Sequence, residues 1–485
     1  FSLYYSLGET EAFHLLTYRD PADPGGADGY FLALLAPRPE VDAAPQPKDV
    51  ILTLDHSGSM DGDKFRQAQT ALNFILERLN PADRFNIITF STEVETYAPT
   101  LRSADEAAEA QAWVAKLAAR GSTDINRALL EAAAMADASR PTYLIFLTDG
   151  LPTTGVTDTQ QILANFNRSA PANLHLFAFG VGYDVDTVLL DTLAQDHQGL
   201  STYVKPNDAL DEILSGFYAK ISAPVLTSLK LDFGALSTSD LYPNPLPDLF
   251  LGSQIVVVGR YREGGEADIT LTGLANGQAQ SLRFPRQTFA QDNAGEDASL
   301  ANIPRLWATR KVGALLNEIR LRGPDQETID QIVTLSIRYG IVTPYTSYLV
   351  TEPEALGAES QSRIAQDQYN QLLTQPAPQT YGQAAVEKAA GQGAMAQAEA
   401  PAAPEPAAQE TVRIAGARTF VLSNGLWTDT GYDPQTMRTI KVSFLSEDYF
   451  KLAQSGSEAA AAMALGERVL FLMGGKAYEV VSTSE

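Results

Sequence analysis

Two short apolar runs each pass straight into an acidic segment, and this pattern narrows the fold more than any other feature of the chain. Residues 50–54 read VILTL and lead into Asp55-His56-Ser57-Gly58-Ser59-Met60; residues 143–147 read YLIFL and lead into Thr148-Asp149-Gly150. A run that is apolar at nearly every position, instead of every second one, fits a parallel strand buried on both faces. Helical periodicity lies between and around them. Phe65, Ala68, Leu72, Ile75, Leu76 and Leu79 recur at helix spacing, and residues 125–138 read as a further helix. Arg84–Phe90 (RFNIITF) and Leu174–Val181 (LHLFAFGV) read as strands, the latter followed by a helix through Leu189, Leu190 and Leu193. Strand alternating with helix predicts an α/β unit over residues 46–205, a doubly wound and mainly parallel sheet with helices on both faces.

Ligands of open α/β sheets bind beyond the carboxyl ends of the strands, which is where the acidic segments fall. Asp55, Ser57 and Ser59 alternate, so a locally extended loop lets their side chains converge. They offer only oxygen, which suits a hard cation such as Mg²⁺, with Mn²⁺ or Ca²⁺ as substitutes, and not zinc or copper. Mg²⁺ keeps near-octahedral geometry and several waters, leaving room for one outside oxygen such as a partner's Asp or Glu. Gly121-Ser122-Thr123-Asp124 places Thr123 in a loop leading into a helix, and Asp149 stands at the second strand end. The plainer use of such residues is to close turns and cap helices. Three segments in order on alternating strands and helices favour the metal reading. With these residues the chain resembles the von Willebrand factor A domain, whose metal ion-dependent adhesion site has an Asp-x-Ser-x-Ser, a later Thr and a Thr-Asp-Gly. The resemblance implies Asp55, Ser57, Ser59, Thr123 and Asp149 as metal ligands, the hydroxyls touching the metal and the carboxylates often acting through water.

At 485 residues there is room for about three domains. The formal net charge of -24 disfavours nucleic acid or an anionic membrane surface as the main partner. With no cysteine there is no disulfide, thiolate metal site or cysteine nucleophile. No apolar run approaches the roughly 18 residues of a membrane span. The chain begins at Phe1 in strand-like sequence, FSLYYSL, which is expected of a mature or cleaved product. No P-loop, Gly-x-Ser-x-Gly, paired metal-histidine motif or Cys/His pair is present. His56 is expected to pack or face solvent, Asp61 and Asp63 to serve the first turn of a helix, and Asp184 and Asp186 to start the helix after Val181.

The flanks extend the resemblance. Residues 240–261 (DLYPNPLPDLFLGSQIVVVGRY), 304–323 (PRLWATRKVGALLNEIRLRG) and 330–350 (DQIVTLSIRYGIVTPYTSYLV) closely resemble the heavy chains of inter-alpha-trypsin inhibitor and their bacterial relatives, in which a VIT domain precedes the A domain. Only what looks like the last VIT strand, near residues 1–6, stands in this chain. The Asp-Pro cleavage signal through which vertebrate heavy chains join a glycosaminoglycan has no counterpart, so hyaluronan transfer is not carried over. Alternating stretches between residues 225 and 290, separated by Gly264-Gly265 and Asn276-Gly277, predict antiparallel strands. By the resemblance, residues 1–45 pack with 206–295 as one β-sandwich into which the A domain is inserted.

A helical segment is expected over 296–374, with Pro304 in a first turn and Asp325 as a cap. Residues 375–410 collapse to Ala, Gln, Pro, Gly and Glu and read as a disordered linker. A small α+β module is expected over 411–485, with hairpins at Asn424-Gly425 and Gly474-Gly475 and a short helix capped by Ser446. Taken together, the expected function is non-enzymatic adhesion: a secreted, cell-surface or periplasmic protein of bacterial type binds a protein or glycan carboxylate through a Mg²⁺-type site. The cleaved VIT part or other subunits of a surface assembly are further expected partners. The alternative is a structural subunit of an envelope assembly in which the metal only stabilises; a hydrolase is the third and weakest class.

Overall fold

The computed structural model describes residues 13–20, 28–36, 46–293, 299–346, 357–402 and 410–482. The strand expected near residues 1–6 lies outside them. The described chain opens with β1 (Phe13–Tyr18) and β2 (Gly29–Leu35), an antiparallel pair. An α/β unit follows: β3 (Asp49–Asp55), α1 (Asp63–Glu77), β4 (Arg84–Phe90), β5 (Val94–Thr96), β6 (Arg102–Ser103), α2 (Ala107–Val114), α3 (Ile125–Met135), β7 (Thr142–Thr148), α4 (Thr159–Ser169), β8 (Leu174–Val181), α5 (Thr187–Asp196), β9 (Leu200–Val204) and α6 (Leu210–Ile221). Its sheet runs β5-β4-β3-β7-β8-β9, parallel from β4 to β9, with β5 and β6 antiparallel against β4.

The apolar runs are explained by cover on both sides. Along β3, Val50, Leu52 and Leu54 pack with α1, α2 and α6, while Ile51 packs with α3, α4 and α5. In β7, Tyr143, Ile145 and Leu147 take the first face and Leu144 and Phe146 the second. Alternate residues therefore enter two separate cores, and no position on these strands is left for solvent. The boundary expected at residue 205 falls short, because Leu210, Leu214, Tyr218 and Ile221 of α6 complete the core that α1 begins.

After α6 the chain returns to antiparallel structure with β10 (Pro224–Asp232), β11 (Thr238–Tyr242), β12 (Leu249–Phe250), β13 (Ile255–Tyr261), β14 (Gly265–Ala275) and β15 (Gln278–Phe289). Two sheets result, ordered β1-β2-β13-β11 and β12-β10-β14-β15. Leu35 of β2 pairs with Ile255 of β13 and Gly29 with Tyr261, so strands before and after the α/β unit share one sheet. The unit is thus inserted in a β-sandwich, whose core includes Phe31, Leu35, Val257, Tyr261, Leu271 and Phe289. The opposite side of the first sheet, through Tyr30, Leu32 and Val258, packs on α7 (Ile303–Arg322) and α8 (Gln326–Tyr339). Asp325 caps α8 by accepting the Thr328 amide at 2.9 Å.

The expected linker is corrected in part. After α9 (Ala358–Thr374), which closes the expected helical segment, the Ala/Gln-rich stretch holds a further helix, α10 (Gln383–Ala396). Small side chains lack the bulk to make a core of their own, but they let α10 lie close against other elements. A Cβ on Gly313 of α7 would stand 2.3 Å from the Ala396 amide nitrogen, so that crossing requires glycine. Val386 is fully buried in the core of the α/β unit, and the Thr380 carbonyl accepts the Thr187 amide at the start of α5 at 2.8 Å.

The last module comprises β16 (Val412–Ala415), β17 (Arg418–Ser423), β18 (Leu426–Asp429), β19 (Thr439–Ser443), α11 (Glu447–Ala453), α12 (Ser457–Met463), β20 (Val469–Met473) and β21 (Lys476–Val481) in one mixed sheet, β16-β17-β18-β20-β21-β19. Asn424 (φ 52°) and Gly425 (φ 74°) turn the first hairpin, and Gly474 (φ 55°) and Gly475 (φ 70°) the second. Ser446 Oγ accepts the Tyr449 amide at 3.2 Å. The module docks on the body: Arg418 pairs with Asp20 at 3.0 Å and Tyr18 donates to Glu458 at 2.8 Å.

Candidate metal centre

Because β3 and β7 are parallel neighbours in register, Leu54 beside Leu147, both chains leave the sheet side by side at its carboxyl edge. Thr148 Oγ1 donates to Asp55 Oδ2 at 2.7 Å, and the Ser57 amide donates to Asp55 Oδ1 at 2.8 Å. These bonds fix the carboxylate at the base of the loop. Ser57 is extended (φ −60°, ψ 166°) ahead of a single 3₁₀ turn, Gly58–Met60, which turns Ser59 back toward it. Ser57 Oγ and Ser59 Oγ stand 3.1 Å apart, Ser59 Oγ donates to Asp149 Oδ1 at 2.7 Å, and Lys64 Nζ donates to Asp149 Oδ2 at 2.9 Å.

A third loop closes the site. The Gly121 carbonyl accepts the Gly58 amide at 3.1 Å, and Gly121 adopts φ +84°, where a Cβ would lie 2.8 Å from Thr92 Oγ1. Thr123 is held by Thr153, whose Oγ1 accepts the Thr123 amide at 3.0 Å and whose amide donates to the Thr123 carbonyl at 3.0 Å. Thr123 Oγ1 lies beside Gly150, 3.6 Å from where a Cβ on that residue would sit. The structure therefore brings Asp55, Ser57, Ser59 and Asp149 into one hydrogen-bonded chain and places Thr123 next to the residue that follows Asp149. Asp55, Ser57, Thr123 and Asp149 are buried, while Ser59 is exposed and marks the mouth.

Burial pushes the Asp55 carboxyl up to about 6, against the opposing pull of the Thr148 and Ser57 hydrogen bonds and with some help from the Asp149 charge. A buried carboxylate raised in this way gains from a nearby positive charge. The donor set, two carboxylates and three hydroxyls, suits a hard divalent cation. Adjacent corners of an octahedron with oxygens ~2.1 Å from its centre are about 3.0 Å apart, close to the observed Ser57–Ser59 and Ser59–Asp149 separations. Among the described residues there is no group of three or more His, Cys, Asp or Glu able to hold a metal, so the hydroxyls are essential to any such site here.

Other candidates resolve as packing. His56 is buried with neither ring nitrogen hydrogen-bonded, and its backbone bridges β4 and the third loop by donating to the Phe90 carbonyl at 2.9 Å and accepting the Arg120 amide at 2.6 Å. Asp61 and Asp63 are exposed, and Asp63 pairs with Arg66. Asp186 caps α5 by accepting the Val188 and Leu189 amides at 3.0 and 3.1 Å. Two participants were not singled out from sequence. Thr148 stands in the Thr-Asp-Gly itself and was within reach of sequence reasoning; Lys64 gains its role only from the direction of the first turn of α1.

Residues 49–215 match the von Willebrand factor type A domain family. The chain is 32% identical over 369 residues to human inter-alpha-trypsin inhibitor heavy chain H4, an alignment covering 72% of this chain and 39% of that protein. It is 30% identical to heavy chain H2 of Sus scrofa, covering 68% of this chain and 37% of the other. The chain thus spans about two fifths of the length of these relatives. A solved von Willebrand factor type A structure from Catenulispora acidiphila shares the fold at a TM-score of 0.51 and 17% identity, over 82% of this chain and 99% of that one. The α/β unit that carries the five oxygen-bearing residues is a von Willebrand factor type A domain, in a chain similar over most of its length to the inter-alpha-trypsin inhibitor heavy chains.

Proposed function

We propose that the chain is a non-enzymatic binding protein in which Asp55, Ser57, Ser59, Thr123 and Asp149 hold a divalent cation of the magnesium type. When bound, the cation supplies a Lewis-acidic position for one carboxylate oxygen of a protein or glycan partner. The observation that carries this reading is the oxygen-only chain Asp55, Ser57, Ser59 and Asp149 at the carboxyl edge of a parallel sheet. Thr148 and the Ser57 amide orient Asp55, the Thr153 bonds position Thr123, and exposed Ser59 sets the side from which a partner approaches. Insertion in the sandwich gives the α/β unit two covalent connections, one into β3 and one out of α6, at the edge opposite the site. The carboxyl edge is therefore free of these two connections, while residues 380–382 lie against it beyond β8, at Tyr183 and Thr187. No helix among the described residues is long and apolar enough to cross a membrane. We place the protein outside the cytoplasm: secreted, on the cell surface or periplasmic.

The test is capture of carboxylate-bearing ligands, such as acidic peptides or acidic polysaccharides, on immobilised protein in Mg²⁺ and in EDTA, with Asp149→Ala alongside. Capture lost in EDTA and in the variant, with the fold intact by circular dichroism, supports the reading. One observation favours the structural-subunit alternative: three large apolar side chains of the last module, Ile440, Leu445 and Phe450, are 43%, 59% and 50% exposed. On that alternative, self-assembly or co-assembly persists in EDTA and fails on Phe450→Ser.

A further inference from the structure

Lys64 is the one positively charged group hydrogen-bonded to the candidate ligands among the described residues, and its geometry is specific. It sits in the first turn of α1, two residues beyond the Gly62 bend. Its ammonium donates to Asp149 Oδ2 at 2.9 Å, while the other carboxylate oxygen, Oδ1, takes the Ser59 hydroxyl. The Asp149 side chain is wholly buried, whereas that of Lys64 is 40% exposed. The ammonium therefore reaches in from the rim and compensates a buried charge. It is also close to the far side of the loop cluster, 3.8 Å from where a Cβ on Gly182, just beyond β8, would sit.

We propose that Lys64 is a tethered cation that competes with the divalent metal for the Asp149 charge and so sets how readily the site fills. This rests on the metal reading above and adds what regulates occupancy. Without metal, two carboxylates stand at the base of the loops, and Lys64 neutralises one of them, holding the Asp149–Ser59 link in place. With metal, a positive group beside Asp149 adds repulsion and withdraws carboxylate charge from the cation. Removing the ammonium should strengthen metal binding and weaken the metal-free protein, two effects of opposite sign from one substitution. A side chain that merely positioned Asp149 would give the same sign for both, because loss of a positioning group harms the site whether or not it is filled. From the single charge of the ammonium and the double charge of the metal about 6 Å apart in a water-like dielectric, the gain in metal affinity is about tenfold.

The experiment is calorimetric titration of Mg²⁺ into wild type, Lys64→Met and Lys64→Arg, with melting temperatures of each in EDTA. Met keeps the alkyl stem and the helix; Arg keeps the charge. The proposal expects Lys64→Met to bind Mg²⁺ about tenfold more tightly and to melt lower in EDTA, and Lys64→Arg to bind like wild type. Equal or weaker binding by Lys64→Met, with wild type binding normally, overturns the proposal and leaves the metal site standing. No Mg²⁺ uptake by any of the three contradicts the metal reading itself and this proposal with it.

Discussion

The helix within the Ala/Gln-rich stretch can be tested at Val386, which has no exposed surface and packs in the core of the α/β unit. Truncating Val386→Ala deletes two methyl-sized groups, about 0.8 kcal/mol each in transfer, and leaves a cavity, for a total of about 2–3 kcal/mol. The loss should register first as local opening of α10, because a helix of 14 residues is marginal by itself even with its many alanines, Gly391 and Gly393 weaken it further, and packing against α5 and α7 holds it. Amide hydrogen exchange over residues 383–396 is the assay. Wild-type amides should be protected, and a loss of about 2 kcal/mol speeds their exchange by about thirtyfold. Residues 365–372 of α9, which pack on α8, should change little. Unprotected amides over 383–396 in the wild type, or no change in Val386→Ala, would refute the reasoning and restore the segment to a flexible linker.

Further expectations concern the base of the inserted unit and the last module. Lys48 and Asp83 form a buried pair at 2.5 Å, with Lys48 also donating to the Ser222 carbonyl at 2.6 Å where the chain re-enters the sandwich. Lys48→Met strands the Asp83 charge and should cost about 3–5 kcal/mol in urea unfolding; Lys48→Met with Asp83→Asn should recover part of this, and full additivity would argue that the two are uncoupled. Asn424, at φ 52° in the hairpin between β17 and β18, should lose about 1 kcal/mol on Asn424→Ala and less on Asn424→Gly. Equal melting temperatures for those two variants would contradict a left-handed turn there.

The α/β unit was legible because its strands carry the apolar bulk that two covered faces demand, as in residues 143–147, and because its oxygen ligands sit at strand ends. The sandwich was legible from turn residues such as Asn276-Gly277 and from alternating patterns. What escaped lacks a local signal. Helix α10 is formed from small residues whose order depends on Gly313 and on the α/β core, partners far away in sequence. Helix α6 falls inside the span expected for the sandwich, where no helix was read from the sequence, and its stripe of Leu210, Leu214 and Tyr218 does not by itself say which sheet it covers. At the candidate centre, hydroxyl and carboxylate types in the right order pointed to the ligands, whereas the Lys64 contact depends on how α1 leaves its Gly62 turn.

The most direct test of the central claim is Mg²⁺ and Mn²⁺ titration by calorimetry on the purified chain, with Ser57→Ala and Asp149→Ala beside it. The account predicts saturable binding by the wild type that both variants lose while their circular dichroism stays native. Absence of binding in the wild type, or binding undiminished in both folded variants, would contradict it.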